Sequence, residues 1–214
     1  ESIRLFSYLL GTKKKLIFLS SGGTVYGNQK IQPIKEDVMA LPINHYGNVK
    51  LCIENTMRVF NTQMHSKMLI ARISNPYGPG QDFNKGVGFI DAAIKKAMLG
   101  DVLEIWGNGD TVRDYIYIDD VCEMLYSLID YSGDEEVFNI SSGIGTSQND
   151  IINIVEDKIR KINIVYKDRR SVDVNKIILD NSKISNICDI KLISLENGIE
   201  KTIDHLKKYQ NIWK

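Results

Sequence analysis

The apolar run Lys15-Leu-Ile-Phe-Leu-Ser20 passes straight into the small-residue segment Ser21-Gly-Gly-Thr-Val-Tyr-Gly27. A run of this length without alternation reads as a strand buried on both faces, the pattern of a parallel sheet. Downstream, residues 45–65 carry apolar side chains at Tyr46, Val49, Ile53, Met57, Phe60 and Met64. Steps of three and four predict a long amphipathic helix. A second apolar segment over 68–74 predicts the next strand, and strand, helix, strand at this spacing is one right-handed crossover of a parallel sheet. The first strand therefore delivers small residues and hydroxyls to the end of a sheet where α/β proteins receive ligands.

The remainder alternates in the same way. Residues 2–10 read as the end of a helix stopped by Gly11, and Pro33 and Pro42 mark 27–44 as a loop. A helix over about 87–99 ends at Gly100, and a strand at 102–106 meets the turn Gly107-Asn-Gly-Asp110. Asp119 and Asp120 open a helix to about 130, acids at its positive end. Residues 137–140 and 162–166 read as strands. Thr146 and Ser147 precede a helix over 148–160, with Asp150 placed for a capping box, and Ser182 and Ser194 read as caps of two final helices. Phe89, Ile90, Ile94 and Met98 form a core stripe. The expected architecture is α/β: a truncated Rossmann-like parallel sheet with a smaller mixed α/β substrate-binding lobe. Residues 1–80 are assigned to the core and 81–214 mainly to the lobe, with some segments returning to the core.

Basic and acidic residues number 27 each, so formal net charge is zero. That argues against a general nucleic-acid or anionic-membrane binder, which needs a basic excess. No apolar run reaches the ~18 residues of a membrane span. Glu1 and Arg4 do not resemble a signal peptide, and a first residue other than Met is expected of a fragment or processed product. Cys52, Cys122 and Cys188 lie in apolar patterns and read as free buried thiols of a reducing, cytoplasmic compartment. The three histidines have no ligand spacing, so no metal is expected.

The chemistry concentrates at His45-Tyr-Gly-Asn-Val-Lys50. Four residues apart on a helix, Tyr46 and Lys50 share a face. The cation favours phenolate, which makes a tyrosine a workable base near neutral pH. The pattern alone is weak, because Tyr26-Gly-Asn-Gln-Lys30 matches it too, in a segment expected to be a loop. Ser21 and Thr24 offer hydroxyls beside the strand end. Arg113, Arg169 and Arg170 are candidate diphosphate ligands, since guanidinium forks match phosphate oxygens in a bidentate way. Asp114 and Asp120 read as structural.

These segments, with Arg72-Ile-Ser-Asn-Pro-Tyr-Gly-Pro-Gly80, Leu103-Glu-Ile-Trp-Gly-Asn-Gly109 and Arg113-Asp-Tyr-Ile-Tyr-Ile-Asp-Asp-Val121, resemble the extended short-chain dehydrogenase/reductase family, in its NAD-dependent nucleotide-sugar epimerase/dehydratase branch. The resemblance covers nearly the whole chain. It implies Tyr46 as base, Lys50 on the nicotinamide ribose, and Ser21 or Thr24 on the substrate oxygen. It also implies Asn75, Arg113 and Arg170 on the diphosphate and Asp173 on a ribose hydroxyl. The family's usual hydroxyl position, three before the Val of Val-Tyr-Gly, is Gly22 here. Gly22-Gly23 also lacks the Asp-Glu pair of the family's dehydratases, so epimerisation at carbon 4 through a keto intermediate is favoured. The alternatives are a non-catalytic nucleotide-sugar-binding fragment, or a dehydratase or reductase of the same family. The resemblance implies a Gly-rich dinucleotide turn ahead of this sequence, within roughly 90 residues or three to four strand-helix units. This chain alone is thus expected to bind NAD weakly. The face of Ile53, Met57, Phe60 and Met64 is expected as exposed apolar surface, which the resemblance pairs into a homodimer through the helix at 45–65.

Overall fold

The computed structural model describes residues 1–12, 14–81, 88–168 and 174–208. The core is a three-stranded parallel sheet, β1 (Ile17–Ser21), β2 (Leu69–Ile73) and β6 (Val137–Ile140), in the order β1-β2-β6. β2 is central, and its first four residues are all buried. Alternate side chains leave β2 on opposite faces. Leu69 and Ala71 pack with Phe138 and Ile140 against α5 (Ile118–Ser127) and α7 (Ser182–Ser185). Met68 and Ile70 pack with Phe6 of α1 (Ser2–Leu9) and Met57 of α3 (His45–Met64). The result is a sheet between two helical layers, the α/β class expected from the sequence.

A second group of elements builds on this core. β3 (Asn75–Tyr77) pairs in parallel with β5 (Val112–Tyr117), which also carries β7 (Gly145–Ser147) antiparallel and β9 (Lys176–Ile177) parallel. β4 (Val102–Trp106) pairs in parallel with β8 (Asn163–Lys167). The helices α4 (Phe89–Leu99), α6 (Gln148–Lys158) and α8 (Leu195–Lys208) share a core with Tyr77, Leu103, Ile105 and Tyr117. Ile90 and Ile94 are buried in it, with Phe89 and Met98 packed against it. Ser147 and Asp150 form the capping box of α6. Ser194 accepts from the Asn197 backbone at the start of α8. For α7 the cap position is Asn181, and Ser182 is its first helical residue.

Further sequence expectations need correction. The strand read as buried on both faces, β1, stands at the end of the order β1-β2-β6, with Ser20 buried and Leu19 exposed. On α3 the face of Ile53, Met57 and Phe60 packs onto β2 and α1, and Phe60 meets Phe6 edge to face with centroids 5.6 Å apart. α1 and the sheet bury this stripe from two sides, leaving Met64 as its one exposed member. The thiols are free, but Cys52 and Cys122 are exposed and Cys188 is half-buried. Cys52 follows exposed Val49 by three positions on the outward face of α3, and Cys122 precedes exposed Tyr126 by four on α5. Each sits beside apolar residues in sequence but on the solvent side of its helix.

Candidate active site

The catalytic candidates meet at the carboxyl end of β1. Asn44 caps α3, its side chain accepting from the Gly47 N–H at 2.8 Å, which places Tyr46 in the first turn. One turn on, the Lys50 ammonium lies 5.5 Å from the centre of the Tyr46 ring and 4.9 Å from that of Phe18. It donates to the Leu19 carbonyl at 2.8 Å, tying α3 to β1. Tyr46 is 58% exposed, so its ring stands open above the strand end.

β1 ends in a single helical turn, α2 (Gly22–Val25). A Cβ at Gly22 would stand 2.4 Å from Leu179 Cδ1 and 3.0 Å from the Arg72 carbonyl. A side chain at 22 would point into the core, so this backbone cannot present a hydroxyl from that position. Ser21 makes no side-chain cap bond to α2. The Thr24 hydroxyl is buried with no hydrogen-bond partner among the described residues. Gly47 seats α3 on this turn: a Cβ there would lie 2.6 Å from the Thr24 carbonyl.

The second tyrosine-lysine match resolves differently. Tyr26 is fully buried and donates to Asn139 Oδ1 at 2.7 Å, while Lys30 is exposed. Burial pushes its phenol up to about 12, too high for a base near neutral pH. Arg72 lies over the Tyr26 ring at 4.7 Å. Arg72 and Glu54, 1% and 0% exposed, form a buried pair with Nη2–Oε2 at 2.7 Å. Ser20 donates to the same carboxylate at 2.5 Å, and Arg72 Nη1 donates to the Glu36 carbonyl at 3.3 Å. This cluster ties β1, β2 and α3 together beneath the site.

From the strand ends the site continues into a cavity of about 600 Å³ between the two groups of elements. Its lining includes Asn75, Thr111, Arg113, Tyr115, Asp91 and Gln148. The alternation of β5 sends Arg113 and Tyr115 to the cavity and Asp114 the other way. Asp114 accepts from the backbone N–H groups of Ser142, Gly143 and Leu179 at 2.9 to 3.1 Å, locking β5 against two neighbouring loops. Asp120 similarly holds the Ile193 N–H at 3.0 Å. Asn75 donates to the Asp114 carbonyl at 3.1 Å, and its amide oxygen lies 3.7 Å from where a Gly23 Cβ would be. Asn75 thus bridges the Tyr46 end and the cavity. Arg113 donates to the Val112 carbonyl at 2.9 Å and holds its guanidinium at the cavity wall. Arg169, Arg170 and Asp173 lie outside the described residues.

Sequence reasoning did not single out Asp91, Thr111 or Gln148. Asp91 had a readable signal: it precedes Ile94 by three and Met98 by seven, which places an acid on the apolar stripe of α4. Among the described residues no group of three His, Cys, Asp or Glu side chains could hold a metal ion, and no helix is long and apolar enough to cross a membrane.

A parallel α/β core, a tyrosine-lysine pair at a strand end and an adjoining cavity of about 600 Å³ with Asn75 and Arg113 on its wall define an α/β protein with a pocket where such folds receive ligands. Residues 2–141 match the model of the NAD dependent epimerase/dehydratase family, and the chain belongs to that family. It is 34% identical over 196 residues to the dTDP-4-dehydro-6-deoxyglucose reductase of Escherichia coli, an alignment covering 91% of this chain and 62% of that protein. The chain therefore spans less than two thirds of that relative's length. The structure of UDP-glucose 4-epimerase with UDP-glucose from Thermotoga maritima superposes with a TM-score of 0.90 at 33% identity, covering 98% of this chain and 69% of that one. UDP-glucuronic acid 4-epimerase from Bacillus cereus, in complex with UDP-glucuronic acid and NAD, gives 0.88 at 26% identity, covering 97% and 66%.

Proposed function

We propose that this protein epimerises a nucleoside-diphosphate sugar at carbon 4 through a transient keto sugar, with NAD as cofactor. The observation that carries the reading is the Tyr46–Lys50 pair at the carboxyl end of β1, beside a cavity large enough for a sugar nucleotide. Tyr46 as phenolate takes the proton of the C4 hydroxyl. The Lys50 ammonium, 5.5 Å from the Tyr46 ring centre, holds the nicotinamide ribose. Ser21 or Thr24 steadies the C4 oxygen, and the unpartnered Thr24 hydroxyl is a ready donor. NAD, when bound, would supply the hydride acceptor and donor for C4, and Tyr46 would return the proton to the C4 oxygen as the keto sugar is reduced. The donor set at the strand end, one phenol and one ammonium, suits that cofactor's nicotinamide ribose. Arg113 and Asn75 anchor the diphosphate while the keto sugar turns. Family position adds Arg170 to the diphosphate and Asp173 to the ribose. Exposed Val49, Val59 and Met64 on α3, with Ile3 and Leu5 on α1, support association of two copies through these helices.

The identity to a reductase supports one rival reading, reduction of a 4-keto sugar. The two separate by redox balance. The full-length protein with UDP-glucose and substoichiometric NAD is expected to yield the C4 epimer by NMR, with no net change in the cofactor. Stoichiometric oxidation of reduced cofactor on a 4-keto sugar, without epimer, would replace this reading by the reductase one. Tyr46→Phe should slow turnover about 100- to 10,000-fold while sugar-nucleotide affinity by calorimetry stays within about twofold.

A further inference from the structure

Asp91 is 3% exposed, and among the described residues neither of its carboxylate oxygens has a hydrogen-bond partner. This is unusual for a buried acid, which ordinarily finds a cation, a metal or several N–H donors. A local partner exists by position: as the third residue of α4, Asp91 could reach back to the N–H of Gly88, as in a capping box. It does not, and its carboxylate lines the 600 Å³ cavity instead. A second buried acceptor on that wall, Gln148 Oε1, is also without a partner among the described residues. The cavity thus holds acceptors in want of donors.

The order of groups along the site says what those donors belong to. Tyr46 and Lys50 stand at one end, outside the cavity lining. Asn75 follows, then Arg113 on β5, and Asp91 belongs to α4 in the other group of elements. A sugar at Tyr46 and a diphosphate at Asn75 and Arg113 leave the nucleoside for the α4 end. Resting on the function proposed above, we infer that Asp91 is a specificity-determining residue that accepts the ring N–H of a lactam nucleobase. Uracil and thymine carry this donor at N3 and guanine at N1; cytosine and adenine present a bare acceptor there. The bond is charge-assisted and buried, so it discriminates strongly. Burial alone lifts the Asp91 carboxyl to about 7, and an N–H donor would bring it down. The other titratable groups on the lining are Arg113 and the phenols of Tyr77 and Tyr115. Burial lifts both phenols well above neutrality, so neither competes in this range.

Calorimetric titration of the full-length protein tests the assignment with UDP, GDP, ADP, CDP, N3-methyl-UDP, N1-methyl-GDP, 2′-deoxy-UDP and inorganic pyrophosphate. The wild type should bind UDP or GDP about 10- to 100-fold more tightly than its N-methylated form. Asp91→Leu should bind the two forms alike, with pyrophosphate affinity unchanged. The wild-type preference for the lactam nucleotide over its N-methylated form should shrink as pH falls below about 7, and that dependence should vanish in Asp91→Asn. Tightest binding of ADP or CDP, discrimination confined to 2′-deoxy-UDP, or equal loss of pyrophosphate in Asp91→Leu would overturn the inference. Equal UDP and GDP affinity in wild type and Asp91→Leu would overturn it while leaving the proposed function standing. A wild type that binds no nucleoside diphosphate would remove both.

Discussion

Glu54 and Asp91 are both acids buried in helices, and the fold treats them in opposite ways. Glu54 receives the Arg72 guanidinium and the Ser20 hydroxyl, and Arg72 in turn covers Tyr26 and bonds the Glu36 carbonyl. Asp91 receives nothing from the described residues. The first arrangement is closed: each charge is answered within the protein, and its use is to hold β1, β2 and α3 in one geometry. The second is open toward a cavity, and its partner has to come from outside. A buried charge by itself therefore does not mark function. What distinguishes the two is whether the surrounding chain supplies the counterpart.

The largest expected effect is at the closed end. Glu54→Leu leaves Arg72 buried without its carboxylate, so it should cost about 3–5 kcal/mol by urea denaturation. A loss under 1 kcal/mol would mean that water or Glu36 replaces the missing acid, and the contrast would collapse. Asp91→Leu should do the reverse and stabilise by about 1–3 kcal/mol, because it removes a desolvated group that bonds nothing. Destabilisation of that size would show that Asp91 is answered within the fold after all.

The pH dependence sharpens the same comparison. The Asp91 carboxyl rises from 3.8 to about 7 through burial, so between these values the folded chain binds a proton that the unfolded chain has lost. Stability from this group is fully present below about pH 4 and declines as pH rises through about 7. The advantage of Asp91→Asn over wild type in thermal melts should therefore grow from pH 4 to pH 7.5. An advantage constant across that range would remove titration of Asp91 as its source. The smallest effect belongs to an acid that is exposed and answered. Ser147→Ala breaks the capping box with Asp150 on α6 and should cost about 1 kcal/mol by urea denaturation. A cost equal to that of Glu54→Leu would mean that burial is not what separates these acids.

Much of the frame was legible in the sequence because it is periodic. α3, β4 and β6 fall within a residue of the segments expected from apolar spacing, and the capping box was readable in Ser147 and Asp150. β3, β7 and β9 are two or three residues long and exist through pairing with β5, so no local pattern announces them. α2 is one turn of Gly, Gly, Thr and Val, poor helix formers held by their neighbours. At the site, the four-residue step put Tyr46 beside Lys50. The step alone did not separate that pair from Tyr26 and Lys30; Gly27 and Asn28 marked the second match as a loop, while the burial of Tyr26 is tertiary and was not readable. The partnership of Glu54 and Arg72 crosses from a helix to a strand, which spacing does not encode. Asp91 was visible as an acid on an apolar stripe, but only the structure shows that none of the described residues answers it.

The contact between Gly47 and the Thr24 carbonyl has a consequence for how this site can vary. With 2.6 Å available where a Cβ would stand, the room at position 47 is less than one methyl group. In the proposed reaction position 46 supplies the reactive oxygen, yet its height above β1 is set by its neighbour having no side chain. Mutational drift at 47 is thus filtered by volume, whatever the chemistry at 46. Enlarging 47 would retune the catalyst by lifting the whole first turn of the helix. A library varied at 46 alone samples reagents, and one varied at 47 samples distances.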